Sequence, residues 1–112
     1  MPCMSDNGNK PFAALLGFCL PLLLSGVAQG DNERLEGHKL ARALCSGCHV
    51  ITEGQGWPVM DGVPPFPEIA RSEISDARLR GWFAVPHPVM PQMSLSARET
   101  EAVIAYIRSF AD

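Results

Sequence analysis

The feature that most constrains this chain is the pentapeptide Cys45-Ser46-Gly47-Cys48-His49. It has the form Cys-x-x-Cys-His, the pattern by which haem is attached covalently to protein. Two thiols three residues apart on a helical turn face the same side, so both can add to the two vinyl groups of one haem. The next residue, His49, then lies under the ring with its imidazole aimed at the iron, and a nitrogen ligand sets one axial position. Two other chemistries use paired cysteines. A thioredoxin-type pair wants a strand–helix–strand setting, and no β-branched, strand-like segment precedes Cys45. A zinc site wants four ligands, and beyond the pair, with the distant Cys3 and Cys19 set aside, the His and Cys candidates are only His38, His49 and His87. Haem attachment is therefore the expectation.

At 112 residues the chain is one domain at most. Residues 1–30 read as a secretory signal peptide. Lys10 and the amino terminus give a modestly basic start, partly offset by Asp6, and Met4 is an alternative initiator. Phe12 to Val27 is an apolar run, and Ala28-Gln29-Gly30 is a small-x-small cleavage site before Asp31-Asn32-Glu33-Arg34. The run is short for a membrane span and contains Pro21. An uncleaved anchor is the alternative, and only in that case would the protein contact a membrane. Leu16-Gly17-Phe18-Cys19 is a poor lipobox, because Phe18 stands where a small residue belongs. Cys3 and Cys19 then leave with the signal, and residues 31–112 form the haem domain.

Removing residues 1–30 takes away Lys10 and Asp6 and leaves the net charge at −3. No basic cluster points to nucleic acid. The remaining segment is short for a self-sufficient hydrophobic core. A covalently bound haem would supply the missing apolar bulk, which supports the cofactor independently of the motif.

Apolar spacing predicts a helix from Glu33 to Leu44 leading into the haem motif. Gly37 in its first turns is either a tolerated surface glycine or a point of close approach for a crossing helix. His38 is expected as an exposed polar residue. From Val50 to Arg71 the chain is punctuated by Gly54, Gly56, Pro58, Gly62, Pro64, Pro65 and Pro67, predicting a long structured loop along one haem edge. Trp57 either donates its indole N–H to a propionate or simply packs, and Met60 is expected to pack. Ser75 is an N-cap candidate for a short helix over Asp76 to Phe83. Next comes Pro86-His87-Pro88-Val89-Met90-Pro91-Gln92-Met93, where three prolines in six residues forbid a helix. A stiff loop of that kind suits a thioether held beside a metal. Ser96-Ala97-Arg98-Glu99 is a capping box. Ala102, Val103, Ile104, Tyr106, Ile107 and Phe110 then recur at helical spacing, predicting an amphipathic terminal helix.

Over Glu36–Phe110 the chain resembles the class I c-type cytochromes. The resemblance rests on Gly37 eight residues before Cys45, the Cys45–His49 motif, Val63-Pro64, Met90-Pro91, Leu95-Ser96-x-x-Glu99 and Ala105-Tyr106-Ile107. It implies an all-α cytochrome c fold, three or more helices wrapped around one covalently bound haem c. The first and last helices would cross near Gly37 and Tyr106. It implies Cys45 and Cys48 as the thioether tethers, with His49 and a loop methionine as axial ligands. The family places that methionine before the proline, favouring Met90 over Met93; His87 would instead give a bis-histidine iron. The carbonyl of Pro64 would accept the other ring N–H of His49. Ala41 departs from the family pattern, which often has an aromatic four residues after the glycine, so the crossing is expected to pack differently.

The function this resemblance implies is single-electron transfer, since iron held on both faces has no open site for substrate. The electron would pass at an exposed haem edge through a small, transient docking surface. Two other roles remain open: a dedicated electron-accepting subunit of a periplasmic dehydrogenase, and a haem enzyme or sensor with a labile sixth ligand. Haem attachment in this family occurs outside the cytoplasmic membrane on dedicated machinery, so a periplasmic location is expected.

Overall fold

The computed structural model describes residues 20–55, 60–85 and 87–112, with side chains described from residue 28. Four helices follow one another: α1 (Leu20–Leu44), α2 (Phe66–Arg71), α3 (Asp76–Ala84) and α4 (Ala97–Arg108). Among the described residues there is no strand. The all-α fold holds.

The first helix is longer than apolar spacing predicts. Among the described residues it runs unbroken from Leu20 through Ala28-Gln29-Gly30. Residues 28–36 are exposed, and packing starts at Gly37. There α1 crosses α4, the most extensive helix pair of the fold. A Cβ built on Gly37 would stand 2.6 Å from the carbonyl carbon of Ala102 and 2.8 Å from Cβ of Tyr106. The close-approach reading of Gly37 is therefore the right one. Ala41, one turn on, is completely buried, so a small residue fills the place of the family's frequent aromatic and the helices stay close.

The loop expected from Val50 to Arg71 contains a helix. Its last third winds into α2, with Pro65 as N-cap and Pro67 inside the first turn. Prolines read as loop punctuation are compatible with a helix start, because the first-turn N–H groups are unpaired in any case. The helices α3 and α4 start as their caps foretell. The Ser75 hydroxyl accepts from the Arg78 N–H, and Ser96 and Glu99 exchange both bonds of a capping box.

The core is one cluster. Ala41, Ile51, Phe66, Ile69, Leu79, Val103, Ile104 and Ile107 are buried together, with Leu40, Trp82, Phe83 and Tyr106 packed on its edge. Among the described residues no charged or polar side chain is buried. Two polar ties hold the elements in register. The Tyr106 hydroxyl donates to the carbonyl of Ile51 at 2.8 Å, and burial pushes its phenol pKa up. Tyr106→Phe keeps the ring and leaves that carbonyl unpartnered. It is expected to cost about 1 kcal/mol, read from the denaturant midpoint of the haem-loaded protein. Arg108 reaches from the last turn of α4 to the Asp76 carboxylate at 2.8 Å, the Ala70 carbonyl at 3.2 Å and the Ile74 carbonyl. Nothing in the sequence pattern announced that fork.

His38 is not the plain exposed residue expected. Its ring lies on Tyr106, centroids 5.0 Å apart, and it is half-buried. The reason is the same close crossing, which brings the α4 tyrosine against the turn that carries Gly37.

Candidate haem-binding site

The cysteine pair sits where α1 ends. The N–H groups of Cys45 and Ser46 both bond the Ala41 carbonyl, and those of Cys48 and His49 both bond the Cys45 carbonyl, at 2.8 to 3.1 Å. This tightened turn carries Cys45, Cys48 and His49 to one wall of a single cavity. Cys45 is buried and Cys48 half-buried, both as free thiols. Burial, aided by the neighbouring Cys48, pushes the Cys45 thiol up to about 11. A disulfide-exchange pair needs its nucleophilic thiol shifted the other way. The thioredoxin-type alternative also lacks its strand–helix–strand setting among the described residues.

His49 is oriented from behind. Its Nδ1 donates to the carbonyl of Pro64 at 2.7 Å, which puts the proton on Nδ1 and leaves the Nε2 lone pair free. The ring packs against Phe66, centroids 5.5 Å apart. Pro64 is itself held in place, because the Phe66 N–H at the start of α2 bonds the carbonyl of Val50 at 2.9 Å. The unexpected helix is thus part of the histidine's support. The Gln55 side chain adds to it by accepting from the N–H groups of Ile51 and Thr52 at 2.9 and 3.3 Å.

The cavity holds about 350 Å³, within the usual range for small-molecule sites. Phe66, Ile69, Leu79, Trp82, Phe83 and Ile107 make its walls, so the hydrophobic core opens directly into it. The proline-rich loop lines the same cavity. His87, Met90 and Met93 all line the cavity, so geometry gathers every sixth-ligand candidate without separating them. The Met90 N–H bonds the His87 carbonyl at 3.2 Å, closing a turn with Pro88 second and Val89 third. Val89 has a φ of 80°, the left-handed value a type II turn demands at its third position. His87 lies 5.5 Å from Trp82, ring centroid to centroid, and its Nδ1 is buried without a hydrogen-bond partner. Met60, expected to pack, is 41% exposed at the cavity edge. Trp57 lies outside the described residues.

An apolar cavity whose lining holds two thiols, an imidazole and thioethers fits a haem. The ring brings four nitrogen ligands of its own, so the protein need supply only axial donors and tethers. Among the described residues no three His, Cys, Asp or Glu side chains converge as a protein-built metal site would require.

Known proteins place the chain. It is 36% identical over 98 residues to cytochrome c-552 of Bradyrhizobium diazoefficiens (strain JCM 10833 / BCRC 13528 / IAM 13628 / NBRC 14792 / USDA 110), covering 85% of this chain and 93% of that protein. No protein-family model and no solved structure matches. With that relative, the all-α fold and the Cys-x-x-Cys-His turn, the chain belongs to the c-type cytochromes. It is an electron carrier rather than an enzyme, and its cofactor is one covalently attached haem c.

Proposed function

We propose that this protein carries single electrons on a haem tethered by Cys45 and Cys48, with His49 and Met90 as axial ligands, between redox enzymes of the periplasm. The bond from His49 Nδ1 to the Pro64 carbonyl at 2.7 Å supports this most directly. It fixes the tautomer that presents Nε2 to a metal. When bound, the haem supplies an iron that alternates between ferrous and ferric, and thioether ligation favours the ferrous form. Met90 is preferred to Met93 because the turn through His87, Pro88 and Val89 fixes the Met90 backbone by a hydrogen bond, and Pro91 stiffens its other side.

The amino-terminal segment 1–30 acts in this reading as a signal that delivers the chain to the haem attachment machinery outside the cytoplasmic membrane. The described end of that segment, residues 28–30, is exposed, which supports the assignment. Among the described residues no helix is long and apolar enough to cross a membrane. The donor and acceptor are proteins that dock transiently at the haem edge. A permanently bound dehydrogenase partner would use the same ligands and the same edge.

Absorption spectra of the haem-loaded protein test the ligand set. The ferric parent is expected to show the weak red methionine-to-iron charge-transfer band. Met93→Ala keeps that band, whereas Met90→Ala abolishes it and lets carbon monoxide bind the ferrous iron. A parent without the band fails methionine ligation. His87 would then lead, and carbon monoxide binding to the parent would favour a sensor.

A further inference from the structure

A second cavity, of about 320 Å³, is lined by His38, Arg42, Ser46, Ile51, Thr52 and Gln55. It shares none of these residues with the haem cavity, so the haem site does not account for it. Its charge is one-sided. His38 and Arg42 stand four residues apart on α1 and share a face. Arg34, Lys39, Arg71, Arg80 and Arg108 each pair with a carboxylate, whereas Arg42 makes no ion pair among the described residues. Among the described residues no Asp or Glu lines the cavity. Glu53, which falls between Thr52 and Gln55 in sequence, is engaged by Arg71 at 2.7 Å.

The acceptors around the cavity are already in use. The Ser46 hydroxyl donates to the Arg42 carbonyl at 2.6 Å. The Ala41 carbonyl takes the N–H groups of Cys45 and Ser46, and the Ile51 carbonyl takes the Tyr106 hydroxyl. Gln55 Oε1 accepts from the Ile51 and Thr52 N–H groups at 2.9 and 3.3 Å and from the Thr52 hydroxyl at 3.4 Å. Two main-chain donors fix which end of that amide is oxygen, so its NH2 group keeps both hydrogen bonds to give. The donors still to be used are the Arg42 guanidinium, the Gln55 amide and a ring N–H of His38, whose ring is steadied by Tyr106 with centroids 5.0 Å apart.

Spare donors without acceptors, beside a guanidinium without a counter-ion, match the needs of an oxyanion. We propose that this cavity binds an oxyanion of the phosphate class, with Arg42 as its principal partner and Gln55 and His38 as further donors. The site lies outside the haem cavity and goes beyond the electron-carrier reading, which stands or falls on the iron ligands alone.

The probe is inorganic phosphate, titrated into the ferrous holoprotein at constant ionic strength and followed by NMR. The main-chain amides of Ile51, Thr52 and Gln55 and the Gln55 side-chain NH2 are expected to shift together and to saturate in the low millimolar range. Arg42→Gln is expected to weaken binding about tenfold, the loss of a charge-assisted pair. Arg98→Gln removes the same charge from a residue outside the cavity and is expected to leave binding unchanged. Gln55→Glu keeps an oxygen for the Ile51 and Thr52 N–H groups and replaces the amide donor with negative charge. It is expected to abolish binding while those two amides hold their parent positions.

Shifts that grow without saturating, or that sodium chloride alone reproduces, would reduce the effect to screening and overturn the proposal. Saturation that persists in both Arg42→Gln and Gln55→Glu would put the anion elsewhere, and equal weakening in Arg98→Gln would trace it to net charge; either result also overturns it. Two sources could supply the phosphate group. Retention on phosphatidylglycerol vesicles that disappears in Arg42→Gln would identify a lipid headgroup. Saturable phosphate binding without retention would identify a free solute, and both uphold the site.

Discussion

Gly37→Ala is expected to destabilise the haem-loaded protein by about 3 kcal/mol, seen as a lowered denaturant midpoint with an unchanged slope. The sign is the informative part. At a helix-interior position alanine is ordinarily better than glycine by about 1 kcal/mol. Here the added methyl would meet the backbone of Ala102 and Cβ of Tyr106. The obstacle is main chain, so no truncation at position 102 can make room and the helices must separate. Gly81 in α3 supplies the contrast, because a Cβ built there meets nothing within 4 Å. Gly81→Ala is expected to stabilise by about 0.5–1 kcal/mol. If both substitutions moved stability the same way, the Gly37 crossing would not be the tight joint described above.

The second large effect is expected at Arg108. Arg108→Met keeps an apolar stem of similar length and removes the guanidinium that bonds Asp76, Ala70 and Ile74. The side chain is only 27% exposed, so the two carbonyls and the carboxylate it leaves are incompletely rehydrated. A loss of about 2–3 kcal/mol follows. Arg108→Lys should recover only part of it, since an ammonium cannot fork toward three acceptors at fixed angles. The thermal or denaturant midpoint of the two variants against the parent measures the difference. Equal stability of all three would show the fork to be a surface decoration.

The starts of α3 and α4 were legible in the sequence because capping and apolar spacing are local. Ser75, Ser96 and Glu99 act where their spacing puts them, and the Cys45–His49 turn brings its three side chains to one cavity. Gly37 left two readings open, and only the partner helix chose between them. What escaped depended on contacts distant in sequence or on proline's double meaning. Pro65 and Pro67 look like loop punctuation and in fact open α2. Arg108 could have been any surface arginine at the end of a helix. His38 could not announce its tyrosine neighbour. The sixth-ligand question stays with the loop for a related reason: helical spacing assigns a side chain to a face, whereas a turn can aim His87, Met90 and Met93 into the same space.

The crossing of α1 with α4 joins the two ends of the folded sequence, with the cysteine pair strung between them. Ile107 of α4 belongs both to the core and to the cavity wall. The pocket therefore cannot be completed until nearly the whole chain is available. Without α4 the core would lose Val103, Ile104 and Ile107 and the cavity its Ile107 wall, so the last helix is as much a part of the pocket as the turn that carries the cysteine pair.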